Sequence, residues 1–133
     1  MEIVNRNFLK KSEMRLNVAK WSVDSRLLCA SISNAYFSLF NLMQAVVGKP
    51  EKGRWEHIGI SKQFVNRAKN WIPIEKLKGI NKRMKELYGL RVKADYEDYI
   101  FREDEVDLSR EMVSYVEGII NLVREGLNHG RDE

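Results

Sequence analysis

Between Asp24 and Gly48 the chain runs without a proline or glycine, and most of its positions are apolar. Leu27, Leu28, Ile32, Tyr36, Phe37, Leu39, Phe40, Leu42, Met43, Val46 and Val47 fall on nearly every side of a helix, and a helix that is apolar all round has to be buried. This segment therefore predicts a central helix of roughly 35 Å at 1.5 Å per residue, with the rest of the chain wrapped around it. Asp24 is a suitable N-cap, and Gly48 with Pro50 ends the run. Ser31, Ser33, Asn34, Ala35 and Ser38 interrupt the bulk and let a neighbouring helix come close. Asn34 and Tyr36 can also turn polar atoms into a cleft.

The flanking segments carry the helical period. Residues 5 to 21 predict a first helix with Phe8, Leu9, Leu16 and Ala19 inward, Lys10, Lys11, Arg15 and Lys20 outward, and Trp21 at its end. A short third helix is expected from Trp55 or Gly59 to Asn70, with His57 near its start. Ile72-Pro73 breaks the chain, and a fourth helix follows from Ile74 or Glu75 to about Tyr96. Residues 97 to 106 read as an acidic connection with Ile100 and Phe101 tucked in. Asp107 then caps a last helix whose inner face is Val113, Val116, Ile120, Val123 and Leu127, and the polar tail after Asn128 is expected to fray. The expected fold class is all-α, an up-and-down four-helix bundle with an additional short helix, and 133 residues suit a single domain spanning 1 to 133.

Charge is distributed unevenly. Residues 48 to 93 hold thirteen Lys or Arg against four Asp or Glu, and residues 94 to 125 hold three against ten. A basic block of this kind suits phosphate contacts, and an adjoining acidic block suits a second copy or another partner. Together with the apolar second helix, the two blocks predict a homodimer. The single cysteine, Cys29, excludes an internal disulfide, and no apolar stretch is long enough for a signal peptide or a membrane span, so a cytoplasmic protein is expected. There is no Gly-rich phosphate loop, Cys or His cluster, nucleophile elbow or Glu-x-x-His pair, and no metal or cofactor is expected. Arg124 and His129 stand at an Arg-x4-His spacing found in some ribonucleases. At the polar end of the last helix, with nothing acidic or aromatic organised around them, they read as a coincidence.

The functional candidate is the stretch from Gly89 to Tyr99. Leu77, Ile80, Met84 and Leu87 step by three and four along one helix face, and the next steps land on Arg91 and Asp95. An inward Arg with an Asp four residues later is either an ion pair closing the bundle or a site. Gly89, costly in a helix interior, leaves room for a backbone or ligand to approach. Arg91 can grip a phosphate with two parallel donors, Lys93 lies close in sequence, and Tyr96 or Tyr99 can stack on a base.

Asn34-Ala-Tyr-Phe-Ser-Leu-Phe on the second helix, the Gly-containing loop leading to His57, and Leu90-Arg-Val-Lys-Ala-Asp-Tyr on the fourth resemble the HEPN domain family, in particular its small bacterial and archaeal branch with an Arg-x-x-Ala-Asp-Tyr signature. The resemblance covers about residues 10 to 127. It implies a helical bundle, frequent homodimers and, in many members, metal-independent RNA cleavage or a toxin role beside a small nucleotidyltransferase. It also implies a catalytic pair, an Arg followed after four to six residues by His. Arg91 matches the Arg, but Tyr96 stands at the His position. Histidine is substantially neutral at pH 7, whereas tyrosine, with an ordinary pKa near 10, is ionised in about one molecule per thousand. The expectation is therefore a protein that binds RNA or a nucleotide at Arg91, Lys93, Asp95, Tyr96, Tyr99, Asn34 and Tyr36, with Arg91 and Tyr96 as the catalytic pair if it is an endoribonuclease. The alternative is a non-catalytic partner subunit of a nucleotidyltransferase.

Overall fold

A computed structural model describes the backbone of residues 4–132 and the side chains of residues 4–128. Among the described residues six α-helices are formed: α1 (Arg6–Asp24), α2 (Leu28–Val47), α3 (His57–Ala68), α4 (Ile74–Leu77), α5 (Ile80–Tyr96) and α6 (Val106–Asp132), with a 3-10 turn at Glu103–Glu105 leading into the last. There is no strand among the described residues. The long helices α1, α2, α5 and α6 form the all-α bundle, with α3 laid alongside α2 and α5.

The second helix is the hub, packing against α1, α3, α5 and α6. Ile32, Ala35, Leu39, Leu42 and Met43 are fully buried, which accounts for its all-round apolarity. Most of that apolar surface is consumed inside the chain, with Phe37 and Phe40 only partly buried. The closest pairing is α1 on α2, antiparallel across a turn of residues 25–27. Small side chains make it possible. Ser12 Oγ donates to the Ser38 carbonyl at 2.7 Å, Ser38 Oγ returns the bond to the Ser12 carbonyl at 2.7 Å, and Ser31 Oγ donates to the Ala19 carbonyl at 2.9 Å. These hydroxyls are buried and satisfied by helix carbonyls, so the seam tolerates polar atoms where bulk would hold the helices apart.

Four expectations are revised. Trp21 does not end the first helix, which continues to Asp24. Asp24 is then the last residue of α1 rather than a cap for α2, whose N-cap is Leu27. Its carboxylate pairs instead with Arg110 of α6 at 2.9 Å. The expected fourth helix is two, because the chain turns at Lys78-Gly79, with Gly79 at φ 82°, a backbone region that suits glycine. Asp107 lies inside the first turn of α6 rather than before it. The helix backbone continues to Asp132, while the side chains beyond Asn128, His129 included, lie outside the described residues.

Two of the in-helix glycines, Gly89 and Gly126, differ. A Cβ at Gly89 meets nothing within 4 Å, so this glycine makes no close approach to a neighbour. Gly126 of α6 is the packed one, because the Trp71 ring occupies the space that its Cβ would fill.

Candidate nucleotide-binding site

Arg91 sits on the last turns of α5, one step beyond the buried Leu87, and its side chain is only 17% exposed. Its guanidinium is surrounded by rings: the carbon centre lies 4.8 Å from the centroid of Phe37, 5.1 Å from Tyr96 and 5.3 Å from Tyr36. Aromatic faces attract a cation without consuming its N–H donors, so the charge is held while its hydrogen-bonding capacity is kept. One Nη donates to the Tyr96 hydroxyl at 3.0 Å, and the other has no hydrogen-bond partner among the described residues. Nε faces Asp95 Oδ2 at 3.4 Å, close enough for an ion pair but not aligned as a hydrogen bond.

Asp95 also ties the helix to its neighbour. Its Oδ2 accepts from Ser33 Oγ of α2 at 3.0 Å, so one carboxylate orients the arginine and anchors α5. Tyr36 forms the inner wall. Burial pushes its phenol up to about 12, the Arg91 charge pulling the other way and Tyr88 adding to the rise, so it remains protonated. Tyr96 is the outer wall, 71% exposed. Behind Tyr36, the rings of Tyr88 and His57 are stacked at 3.7 Å and 6°, and burial against this stack lowers the His57 pKa.

The structure thus brings Arg91, Asp95, Tyr96 and Tyr36 together. The other expected residues point elsewhere. Asn34 is on the α1 side of α2, where Oδ1 accepts from Arg15 at 3.4 Å. Lys93 lies over the Tyr99 ring at 5.1 Å, and the Tyr99 hydroxyl donates to Glu105 at 2.7 Å. The Arg102 backbone N–H and then Tyr99 hold the Glu105 carboxyl below its ordinary value, and the same bond raises the Tyr99 phenol. Those two residues brace the acidic connection rather than line the Arg91 cluster.

Two members of the cluster went unread in the sequence. Phe37 reads as core, yet it is only partly buried, and it lies between helices because Arg15 of α1 is 5.1 Å from the same ring that Arg91 approaches. His57 is the first residue of α3 and joins through Tyr88. Only the adjacency of Tyr36 and Phe37 hinted at an aromatic wall, since a helix pairing is needed to bring Arg15 there.

The comparison with known proteins completes the description. The model of the HEPN domain family matches residues 6–126, which takes in every residue of the cluster. The chain belongs to the HEPN domain family. No curated protein and no solved structure gives a significant match. As a HEPN domain it is all-helical, and among its described residues no helix is long and apolar enough to cross a membrane. Nor does any group of three or more His, Cys, Asp or Glu converge there to hold a metal ion. Arg124 of the Arg-x4-His pair is bound to Glu13 of α1 at 2.9 Å.

Proposed function

We propose that this HEPN chain binds RNA or a nucleotide by gripping a phosphate with Arg91, with the exposed Tyr96 ring stacking on the adjacent base, in a cytoplasmic system of toxin–antitoxin or nucleotidyltransferase-linked type. The observation that carries the reading is the guanidinium caged by Tyr36, Phe37 and Tyr96 with one Nη unengaged. A phosphate has to compete with Asp95 for this arginine, but that carboxylate also accepts from Ser33, and Arg15 adds a second positive charge beside Phe37. The balance at the cluster favours an anion.

Cleavage has weaker support than binding. A metal-independent endoribonuclease working through the ribose 2′-hydroxyl needs a proton carrier, and Tyr96, in an open position, is the group available beside Arg91. A second reading has one observation in its favour. The Ser33–Asp95–Arg91 chain ties α5 to α2, which suits a structural clasp in a non-catalytic partner subunit of a small nucleotidyltransferase.

Fluorescence anisotropy with labelled single-stranded RNA, run in EDTA beside a gel for cleavage products, separates these. Arg91→Ala is expected to weaken binding about ten- to a hundredfold, the loss of one charge-assisted contact of roughly 1.5 to 3 kcal/mol. Tyr96→Phe keeps the stack and hence the affinity, while any cleavage through the phenol disappears. A parent protein that binds neither RNA nor nucleotides, together with an Arg91→Ala variant that unfolds, would leave only the clasp.

A further inference from the structure

Phe37 is shared by two arginines. The Arg91 guanidinium of α5 lies 4.8 Å from its ring centroid and the Arg15 guanidinium of α1 lies 5.1 Å from it, and the two distances together bound the separation of the guanidinium carbons at about 10 Å. Arg91 is held by Asp95. Arg15 has no carboxylate partner among the described residues, and its hydrogen bond goes to the neutral Asn34 Oδ1 at 3.4 Å. Asn34, Phe37 and Asn41 step by three and four along α2, and Lys11, Arg15 and Val18 do the same along α1, so each helix turns one face to this seam. Between them runs an open groove of about 400 Å³ lined by Lys11, Met14, Arg15, Val18, Asn34 and Asn41, none of them acidic. Lys11, one turn or roughly 6 Å along α1 from Arg15, likewise has no ion-pair partner among the described residues.

Two guanidiniums at this separation suit two phosphates better than one. At about 3.4 Å of rise per nucleotide in a stacked strand, the span between them covers up to about three steps. We propose that the α1–α2 groove is a second subsite of the Arg91 cluster, one that takes a neighbouring nucleotide of the same single strand. Arg15 grips that nucleotide's phosphate, Lys11 adds to the charge, and the base enters the groove against Met14 and Val18, which are 65% and 45% exposed. The volume is in the range of pockets that enclose a ring system. The Asn41 amide nitrogen donates to Gln44 at 2.8 Å, while its carbonyl oxygen accepts nothing among the described residues and is left to take a base N–H. This subsite rests on the Arg91 reading and deepens it, because it makes the ligand a strand of two or more nucleotides rather than a free nucleotide. An acidic peptide would satisfy the cations but leave the apolar wall and the amide unused.

Isothermal titration calorimetry of the full chain tests it, with a 5′-phosphorylated 2′-fluoro uridine trinucleotide, which cannot be cleaved through a 2′-hydroxyl, beside UMP, UTP and tetraglutamate. The parent is expected to bind the trinucleotide at least about tenfold more tightly than UMP. Arg15→Ala, at an exposed position, should keep its helical signal and cut that ratio about tenfold, the effect of losing one charge-assisted contact, and should lower the salt slope of trinucleotide binding by about 0.7, the share of one phosphate. Arg91→Ala should weaken both ligands. If it does so while Arg15→Ala leaves the ratio unchanged, the groove subsite is overturned and the Arg91 reading stands. If Arg91→Ala changes neither affinity, both fall. UTP that loses as much affinity as the trinucleotide on Arg15→Ala overturns the strand, since the second contact then takes a polyphosphate, and tetraglutamate that displaces the trinucleotide at equal concentration overturns it in favour of an acidic peptide.

Discussion

Substituting alanine at two in-helix glycines, Gly89 and Gly126, tests the packing at the ends of the bundle, because the same chemical change has opposite consequences. In a helix interior glycine is about 1 kcal/mol less favourable than alanine, through backbone entropy alone. At Gly89 the added methyl meets open space, so Gly89→Ala is expected to stabilise by about that amount. At Gly126 the methyl overlaps the six-membered ring of Trp71, which follows α3 and leans on α6. Overpacking costs about 1 to 3 kcal/mol, and the propensity gain offsets part of it. Gly126→Ala should therefore be neutral to about 2 kcal/mol destabilising, which places the two variants about 1 to 3 kcal/mol apart. Urea melts followed by circular dichroism measure the gap, and Trp71 fluorescence in a Trp21→Phe, Trp55→Phe background reports whether the indole is displaced. If Gly126→Ala is as stable as Gly89→Ala and leaves the Trp71 emission unchanged, Trp71 does not pack on α6 in this way.

The α1–α2 seam and Tyr36 carry further predictions. Ser12→Ala removes one of two reciprocal bonds and should cost about 1 kcal/mol, and Ser12→Ala with Ser38→Ala should cost less than the sum of the two, because the pair acts as a unit; a double-mutant cycle in urea reads the coupling. Tyr36, held protonated by burial, titrates near 12 when folded and near 10 when unfolded. Its contribution is fully present below pH 10 and is lost as the pH rises through 12, worth about 2 kcal/mol over that window, so Tyr36→Phe should flatten the alkaline arm of the stability profile. His57 behaves oppositely at acid pH. With its folded pKa lowered, stability falls as the pH drops below about 6.5, and His57→Phe should remove that dependence.

How much of this was legible in the sequence depended on whether neighbours in space were also neighbours along a helix. The central place of α2 was readable because apolarity on every side leaves a helix only the interior. The stripe from Leu77 to Leu87 was readable too, but it concealed the break at Gly79. Leu77 and Ile80 are both buried, so the pattern of three and four passes across a turn of the chain. Asp24 misled because capping and cross-helix pairing call for the same residue type, and its partner Arg110 is 86 residues away. Within the candidate site, Arg91, Asp95 and Tyr96 were visible as positions i, i+4 and i+5 of one helix. Arg15, Phe37 and His57 were not, since three further helices deliver them. Gly89 was read as leaving room for a backbone or a ligand; no neighbouring backbone or side chain takes that room, whereas Gly126 is closely packed by the Trp71 ring.

The short turn between α1 and α2 bears on the order in which the protein is made. These helices are joined by residues 25–27 alone, and their seam is fastened by bonds between residues 12 and 26 positions apart. Such local contacts close fast and need nothing downstream. Translation runs from the N-terminus, so the hairpin can close once Val47 has cleared the ribosome, while Arg91 is still unmade. Ser33, Tyr36 and Phe37 would then stand as a finished wall before α5 exists. Arg91 arrives later on α5, onto a surface already in place, and α6 closes the bundle after it.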